Sequence, residues 1–162
     1  MKTEFEKKYL IGNSIDIHRL KKEDNLIEQI IGATTIKTNY RVIAHSDGDL
    51  VLHAIANAIM GGLNLGDIGD YFSDESKLTK NLDSKIILNK AILLMNELNY
   101  EINNIDITIV CEHIIFKDYK KNIAKNLSSL LNNKNISVKT TRFEENVNKI
   151  ECLCSLLMVK KY

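Results

Sequence analysis

The sequence predicts an α+β fold, in which a mixed β-sheet carries helices on one face. Segments with the alternation of strands lie near both ends of the chain, and segments with helical periodicity lie between them. With 162 residues, of which 44% are apolar and 27% charged, the chain fits one globular domain. We therefore expect a single domain over 1–162, in which 1–8 form a flexible N-terminus.

The first half of the chain predicts strands followed by a helix. Residues 9–18 alternate, and 30–45 favour one or two short strands rich in β-branched residues. The polar stretch between them, RLKKEDN, is expected to be a loop. A helix begins at Asp47 or Asp49, because an aspartate can cap its open N–H groups. Its apolar face, at helical spacing, consists of Val51, Ala54, Ile55, Ala58 and Ile59.

The second half predicts two helices and three strands after a polar, glycine-marked loop. Asp83-Ser84 can cap the first of these helices. The last two strands are expected to form a hairpin. The expected boundaries are a loop over 66–82, helices from 83 and over 117–131, and strands over 104–112, 136–143 and 151–159.

Charge and cysteine content narrow the function classes. Twenty-two basic side chains stand against 21 acidic ones, which argues against a nucleic-acid partner, because such proteins show a basic excess. No apolar run approaches the roughly 18 residues that span a bilayer, and the start MKTEFEKKYL lacks a secretory apolar core. The three cysteines suggest reduced thiols and an intracellular, cytoplasmic protein. Cys152 and Cys154 are expected to be small buried side chains on one face of a strand.

The Asp16-x-His18 pair is a candidate for metal binding. Two residues apart on a strand, both side chains leave the same face, with roots roughly 6–7 Å apart, so both can approach one cation. Zinc accepts nitrogen and oxygen ligands, and catalytic zinc sites usually combine three protein ligands with an open position. A strand with polar residues on its solvent face explains the pair equally well, so both interpretations stand.

The stretch HSDGDLVLHA contains two histidines with different expected roles. His53 lies on the first helix beside its apolar face, where it either packs beside the core or provides a third ligand for the pair. His45 precedes the helix and would lie about 12 Å from His53 along a helix axis, too far for one ion. Open N–H groups at the helix start favour an anion such as phosphate, which Ser46 and Gly48 would let approach.

Three segments of the sequence together resemble one enzyme family. They are SIDIH, IIGATTIKTNYRVIAHSDGDLVLHAIANAIMGGLNLGDIGDYFSD and a downstream LDS. In this order and spacing they are similar to the 2-C-methyl-D-erythritol 2,4-cyclodiphosphate synthase family, closely from about residue 9 to residue 110. The resemblance implies a ferredoxin-like or chorismate-mutase-like α+β fold, and a homotrimer with active sites between adjacent subunits.

The resemblance also implies roles for individual residues. Asp16, His18 and His53 match the zinc ligands, and the first two also contact substrate. Glu144 matches a carboxylate for a second divalent ion, magnesium or manganese, although Glu145 is close enough to take that role. Two of the implied residues, His45 and Glu144, are catalytic. The substrate contacts implied besides the zinc ligands are His45, Ser46, Asp67, Gly69, Asp74, Ser84 and Thr141.

The implied reaction is an intramolecular phosphoryl transfer without a protein nucleophile. The 2-phosphate of 4-diphosphocytidyl-2-C-methyl-D-erythritol 2-phosphate attacks the β-phosphorus, cytidine monophosphate leaves, and a cyclic diphosphate forms. The enzyme would be a phosphorus–oxygen lyase of non-mevalonate isoprenoid biosynthesis. Its task is to hold the attacking and leaving oxygens in line and to neutralise the growing charge, for which two cations are suited.

Beyond residue 110 the sequence departs from the family pattern. CEHIIFK replaces an Ala-Pro-Lys segment, the C-terminal glycine-rich loop is missing, and Asn13-Ser14 stands where His-Gly is usual. His113, in the altered segment, receives no role. One hypothesis is an active synthase, located in the cytoplasm or, after removal of a transit peptide, in the plastid stroma. The alternatives are a divergent trimeric zinc-binding homologue with weak or no catalysis, and a chance match on a plain α+β domain.

Overall fold

The computed structural model describes residues 8–72 and 82–162, and confirms the α+β class. The predicted flexible N-terminus lies outside the described residues except for Lys8. No described helix has the length and apolar character needed to cross a bilayer. The elements are β1 (Tyr9–Ile31), β2 (Thr34–Ile43), α1 (Leu50–Gly62), α2 (Ile68–Tyr71), α3 (Ser84–Glu97), β3 (Tyr100–Cys111), α4 (Lys120–Leu131), β4 (Ile136–Thr141) and β5 (Lys149–Lys160).

The strands form one mixed sheet in the order β2-β1-β5-β3-β4. β3 and β4 are parallel, and all other neighbours are antiparallel. The predicted hairpin of the last two strands is wrong: α4 returns the chain before β4 begins, so β4 joins β3 at the sheet edge, and β5 inserts between β1 and β3. β1 and β3 therefore run parallel with β5 between them, a split β-α-β arrangement found in ferredoxin-like folds.

β1 is a single strand of 23 residues. It pairs with β5 from Tyr9 to Arg19 and with β2 from Arg19 to Ile31. The predicted loop over 19–25 is therefore wrong, although the register does shift between Lys22 and Ile27. Beyond Arg19 the strand has a neighbour on one side only, so its charged side chains can remain in solvent while the backbone stays paired.

A buried aspartate joins the β1–β2 turn to the start of α1. Gly32 and Ala33 both have positive φ, 62° and 53°, as a two-residue hairpin turn requires. Their N–H groups donate to the Asp49 carboxylate over 2.7 and 2.8 Å. The same carboxylate caps α1 by accepting from the N–H groups of Val51 and Leu52. Complete burial raises the pKa of Asp49 to about 6.

Helix α1 lies against β1 at a glycine. A Cβ at Gly12 would lie 1.9 Å from the Ala58 carbonyl oxygen, so the strand and the helix are in backbone contact there. The predicted apolar face of α1 is buried, but burial extends almost round the helix. Apart from the terminal Gly62, the less buried residues of α1 form a stripe at spacing i, i+4, i+8: His53, Asn57 and Gly61. This stripe determines which side chains of α1 can reach a ligand.

The two faces of the sheet differ in exposure. The face that carries the helices buries Cys152 and Cys154, and both are free thiols, as predicted. Asn126 on α4 donates to the Ala33 carbonyl in the β1–β2 hairpin over 2.9 Å, which ties α4 to the β2 edge of the curled sheet. On the outer face, large apolar side chains remain exposed: Ile11, Ile15, Ile17 and Leu153.

Candidate active site

Asp16, His18 and His53 form one cluster between β1 and α1. Their candidate ligand atoms all lie within 4.8 Å of one another. Asp16 Oδ2 is 3.3 Å from His18 Nε2 and 3.6 Å from His53 Nδ1. The period of two along β1 turns Asp16 and His18 toward the helices, and the less buried stripe of α1 supplies His53. Of the two interpretations of His53, the structure favours the third member of a cluster over a side chain packed in the core.

The donor atoms of this cluster fit a cation. Asp16 Oδ2 and His18 Nε2 are buried, and within the described residues they have no hydrogen-bond partner of good geometry. His18 Nδ1 lies 3.2 Å from the Ile43 carbonyl oxygen, which can only accept, so Nδ1 carries a hydrogen. Interaction with the nearby Asp16 carboxylate raises the pKa of His18, against the lowering effect of burial. A cation can take the place of the added proton, and two imidazole nitrogens with one carboxylate oxygen are typical zinc ligands.

Ser84, expected to contact substrate, lies behind His53. Its Oγ is 2.9 Å from His53 Nε2, and its hydroxyl is hydrogen-bonded to Asp47 Oδ1. Ser84 has no exposed surface and is not among the residues that line the cavity described next. The structure thus places Ser84 on the side of the imidazole ring remote from Asp16.

A cavity of about 240 Å³ opens above the cluster. His45 and Ser46, from the segment before α1, line it together with Gly69 of α2. Six of the predicted site residues therefore meet at one cavity. The apolar part of its wall consists of Ile68, Phe72, Leu82 and Ile87.

The predicted anion site at the N-terminus of α1 is wrong. Asp49 Oδ1 accepts from the N–H groups of Val51 and Leu52, and Leu50 donates to the Gly48 carbonyl oxygen. Asp49 is also completely buried, so these backbone groups are not available to a ligand. An anion in the cavity would instead meet side chains such as the exposed His45.

Asn57 is a cavity residue that sequence reasoning missed. It follows His53 by one helical turn, and its Oδ1 accepts from the Ile68 N–H over 2.9 Å. This bond ties α2 to α1, and the spacing of four residues from His53 was the signal that could have revealed it. Asp67, which was expected to contact substrate, is the N-cap residue of α2 and does not line this cavity. The predicted Asp74 lies outside the described residues.

The site residues predicted near the C-terminus do not line the cavity above the cluster in this chain. Thr141 ends β4 and lines a second cavity, of about 270 Å³, together with residues of the altered segment 111–117. Glu144 and Glu145 are exposed in the loop before β5. Within the described ranges of one chain, none of these three residues lines the cavity above the cluster. His113 stacks on Tyr40 from β2, with ring centroids 4.4 Å apart.

Comparison with known proteins gives concordant matches. The YgbB family model matches residues 9–159. A 2-C-methyl-D-erythritol 2,4-cyclodiphosphate synthase of Leptospira interrogans is 44% identical over 161 residues, covering 94% of this chain and 99% of that protein. A protein of the same name from Mycoplasmoides gallisepticum is 38% identical, covering 91% and 95%. Among solved structures, IspF of Plasmodium falciparum in complex with CDP is 34% identical with a TM-score of 0.82, covering 96% of this chain and 98% of that one.

Proposed function

This chain belongs to the YgbB family, and from that membership we propose that it is a 2-C-methyl-D-erythritol 2,4-cyclodiphosphate synthase. It cyclises 4-diphosphocytidyl-2-C-methyl-D-erythritol 2-phosphate with release of CMP, in non-mevalonate isoprenoid biosynthesis. The observation that carries this conclusion is the cluster of Asp16, His18 and His53 at the cavity that His45 and Ser46 line. The alternative of a homologue without catalysis is not favoured, because relatives that are 38–44% identical over more than nine tenths of this chain are named as synthases.

We infer that the cluster holds zinc through Asp16 Oδ2, His18 Nε2 and His53 Nδ1. The buried atoms without good partners and the mixed nitrogen and oxygen donor set support this assignment. When bound, zinc would act as a Lewis acid that withdraws negative charge from phosphate oxygens. The resemblance further supports a second ion, magnesium or manganese, at Glu144 or its neighbour Glu145.

The reaction requires the chain to orient its substrate. The cavity must fold the substrate so that an oxygen of the 2-phosphate faces the β-phosphorus, in line with the bond to the CMP phosphate. One phosphorus–oxygen bond forms as the other breaks, and the electron pair leaves with CMP, which makes the enzyme a phosphorus–oxygen lyase. His45 and Ser46 would donate hydrogen bonds to the phosphate oxygens where charge develops. Gly69, without a side chain, leaves room for the methylerythritol part.

We also propose a homotrimer with active sites between subunits. The outer sheet face supports an assembly, because Ile11, Ile15 and Ile17 are 74%, 52% and 51% exposed. Thr141 and Glu144 do not line the cavity of their own chain, so an adjacent subunit would bring them to it. The split β-α-β arrangement supports the ferredoxin-like grouping, and the packing of the helices on one sheet supports a single domain. The free cysteines support a reducing compartment, the cytoplasm or the plastid stroma.

A product assay tests the function. Purified protein, supplied with zinc and magnesium, is incubated with the diphosphocytidyl substrate, and CMP and the cyclic diphosphate are quantified by chromatography and phosphorus NMR. We expect about one zinc per chain, and we expect His53→Ala to lose both the zinc and the activity. Lys37→Ala, at an exposed position of β2, is the control. Absence of CMP release would refute the synthase, whereas release that survives His53→Ala without zinc would refute the metal centre.

A further inference from the structure

The hydroxyl of Ser84 lies between the Asp47 carboxylate and the His53 ring. We propose that Asp47 and Ser84 form a hydrogen-bond relay that fixes the tautomer of His53, so that Nδ1 presents its lone pair to the cation. Both are positioning residues, because they act on the cation through His53. This inference rests on the proposed metal centre and assigns to Ser84 a role other than substrate contact.

The direction of the relay follows from its acceptor end. A carboxylate accepts hydrogen bonds and donates none. Asp47 Oδ2 accepts from the Ser84 N–H over 3.0 Å, and Oδ1 accepts from the Asp49 N–H over 3.2 Å and from the Ser84 hydroxyl. The single hydroxyl hydrogen of Ser84 is therefore directed at Asp47.

The state of the imidazole ring follows from that direction. Having donated its hydrogen, Ser84 Oγ can only accept across the 2.9 Å contact with His53 Nε2. Nε2 therefore carries the ring hydrogen, and in the neutral ring Nδ1 carries the lone pair. Nδ1 is the nitrogen that faces the cluster, 3.6 Å from Asp16 Oδ2.

His18 shows the same principle with the nitrogens exchanged. Its Nδ1 donates to the Ile43 carbonyl oxygen, and its Nε2 faces Asp16. The two rings thus approach one point from β1 and α1 with different nitrogens, each fixed by an acceptor on its far side. Partners of this kind fix the orientation and tautomer of metal-binding histidines.

The relay also connects the cluster to α3. Ser84 is the first residue of α3 and is completely buried. The loop before α1 holds it from two directions, because the Asp47 N–H also donates to the Leu82 carbonyl oxygen over 3.3 Å. Burial and these backbone bonds explain how a hydroxyl can keep one orientation.

Variants of the relay test its effect on metal affinity. Ser84→Ala removes the acceptor for Nε2. Asp47→Asn allows an amide N–H to donate to Ser84, which would reverse the relay and favour hydrogen on Nδ1. We expect both variants to bind zinc about 10–100-fold more weakly in chelator competition. Ser84→Thr keeps a hydroxyl and should rescue affinity. Ser14→Ala, which removes the 2.5 Å hydrogen bond to the Ala54 carbonyl between β1 and α1, is the matched control and should bind normally.

The tautomer can be measured directly in the metal-free protein. Long-range proton–nitrogen NMR of labelled histidines should show His53 hydrogen on Nε2 in the wild type and a mixture of tautomers in Ser84→Ala. Hydrogen on Nδ1 in the wild type, or an affinity of Ser84→Ala within twofold of Ser14→Ala, would overturn the relay. A wild-type chain that binds no zinc would contradict the proposed metal centre instead, and the metal-free spectrum would still decide the relay.

Discussion

Substitution of Gly12 by alanine should separate the two elements that carry the metal cluster. Gly12 lies on β1, four residues before Asp16, where the strand touches α1. An added Cβ would lie 1.9 Å from the Ala58 carbonyl oxygen, whereas ordinary contacts begin near 3.4 Å. Gly62, one turn beyond Ala58, also lies close to the strand backbone, since a Cβ there would meet Gly12 Cα at 3.1 Å. The obstacle is backbone on both sides, so α1 would have to move by about 1.5 Å.

Such a displacement should be costly. Overpacking of a close-packed interior typically costs about 1–3 kcal/mol, and we expect the upper end because no side chain can rotate away. Alanine has a lower conformational entropy than glycine in the unfolded chain, which offsets about 0.5–1 kcal/mol of this loss. A net loss of about 2 kcal/mol corresponds to roughly 4–8 °C in the midpoint of thermal unfolding for a chain of this size. Because His53 moves with α1, zinc affinity should fall as well.

Urea unfolding and zinc titration of Gly12→Ala check both effects. The matched control is Gly61→Ala, also a glycine of α1, where an added Cβ meets nothing within 4 Å. This control should be neutral or stabilise the chain by up to about 1 kcal/mol, because alanine is the better helix former. Equal stability and equal zinc affinity for Gly12→Ala and Gly61→Ala would refute the backbone contact.

Three further predictions concern buried groups. Burial raises the pKa of Asp49 to about 6 from its ordinary 3.8, so the folded state binds the carboxyl proton more tightly than the unfolded state. Protonated Asp49 therefore contributes to stability fully below about pH 4, and this contribution is lost as the pH rises through 6. Relative to Asp49→Asn, the wild type should lose roughly 2 kcal/mol of unfolding free energy between pH 4 and pH 7 in urea titrations, and a constant difference would refute this. Burial raises the pKa of all three cysteine thiols, that of Cys154 to about 12. The native chain should therefore react with a disulfide reagent at least about tenfold more slowly than the unfolded chain. Equal reaction rates would contradict the burial of the thiols. Asn57→Ala leaves the Ile68 N–H without its acceptor and should raise KM more than it lowers kcat, whereas an unchanged KM would show that α2 does not depend on this bond.

The sequence predicted the parts of the site that depend on local periodicity. Asp16 and His18 share a face because residues two apart on a strand must do so. The start of α1 at Asp49 was predictable because capping needs only a side chain next to the first turn. The family resemblance implied His53 as a third zinc ligand, but spacing alone left open whether it would lie near Asp16 and His18, since its approach to β1 depends on the contact at Gly12.

The wrong predictions concern long-range pairing. Residues 19–25 look like a loop because five of the seven are charged, yet the backbone of residues 19–22 pairs with β2 residues about 20 positions later. The anion site before α1 failed because Asp49 occupies the N–H groups of Val51 and Leu52. Asp49 is held in this buried position by the turn at Gly32 and Ala33, a contact that local sequence does not reveal. For the same reason the sequence identified Ser84 as a site residue but not its contact with His53.

The position of the altered segment in the sheet explains how the cluster of Asp16, His18 and His53 can coexist with the departures from the family pattern. Segment 111–117 follows β3, whereas the cluster lies on β1 and α1, and β5 separates the two strands. Five residues of that segment line the second cavity with Thr141, and within the described residues of one chain none of the segment lines the cavity above the cluster. Replacement of the Ala-Pro-Lys segment should therefore act on the part of the site that we expect to meet the nucleotide. The three proposed zinc ligands lie at the other cavity, so divergence after β3 is compatible with an intact set of these ligands.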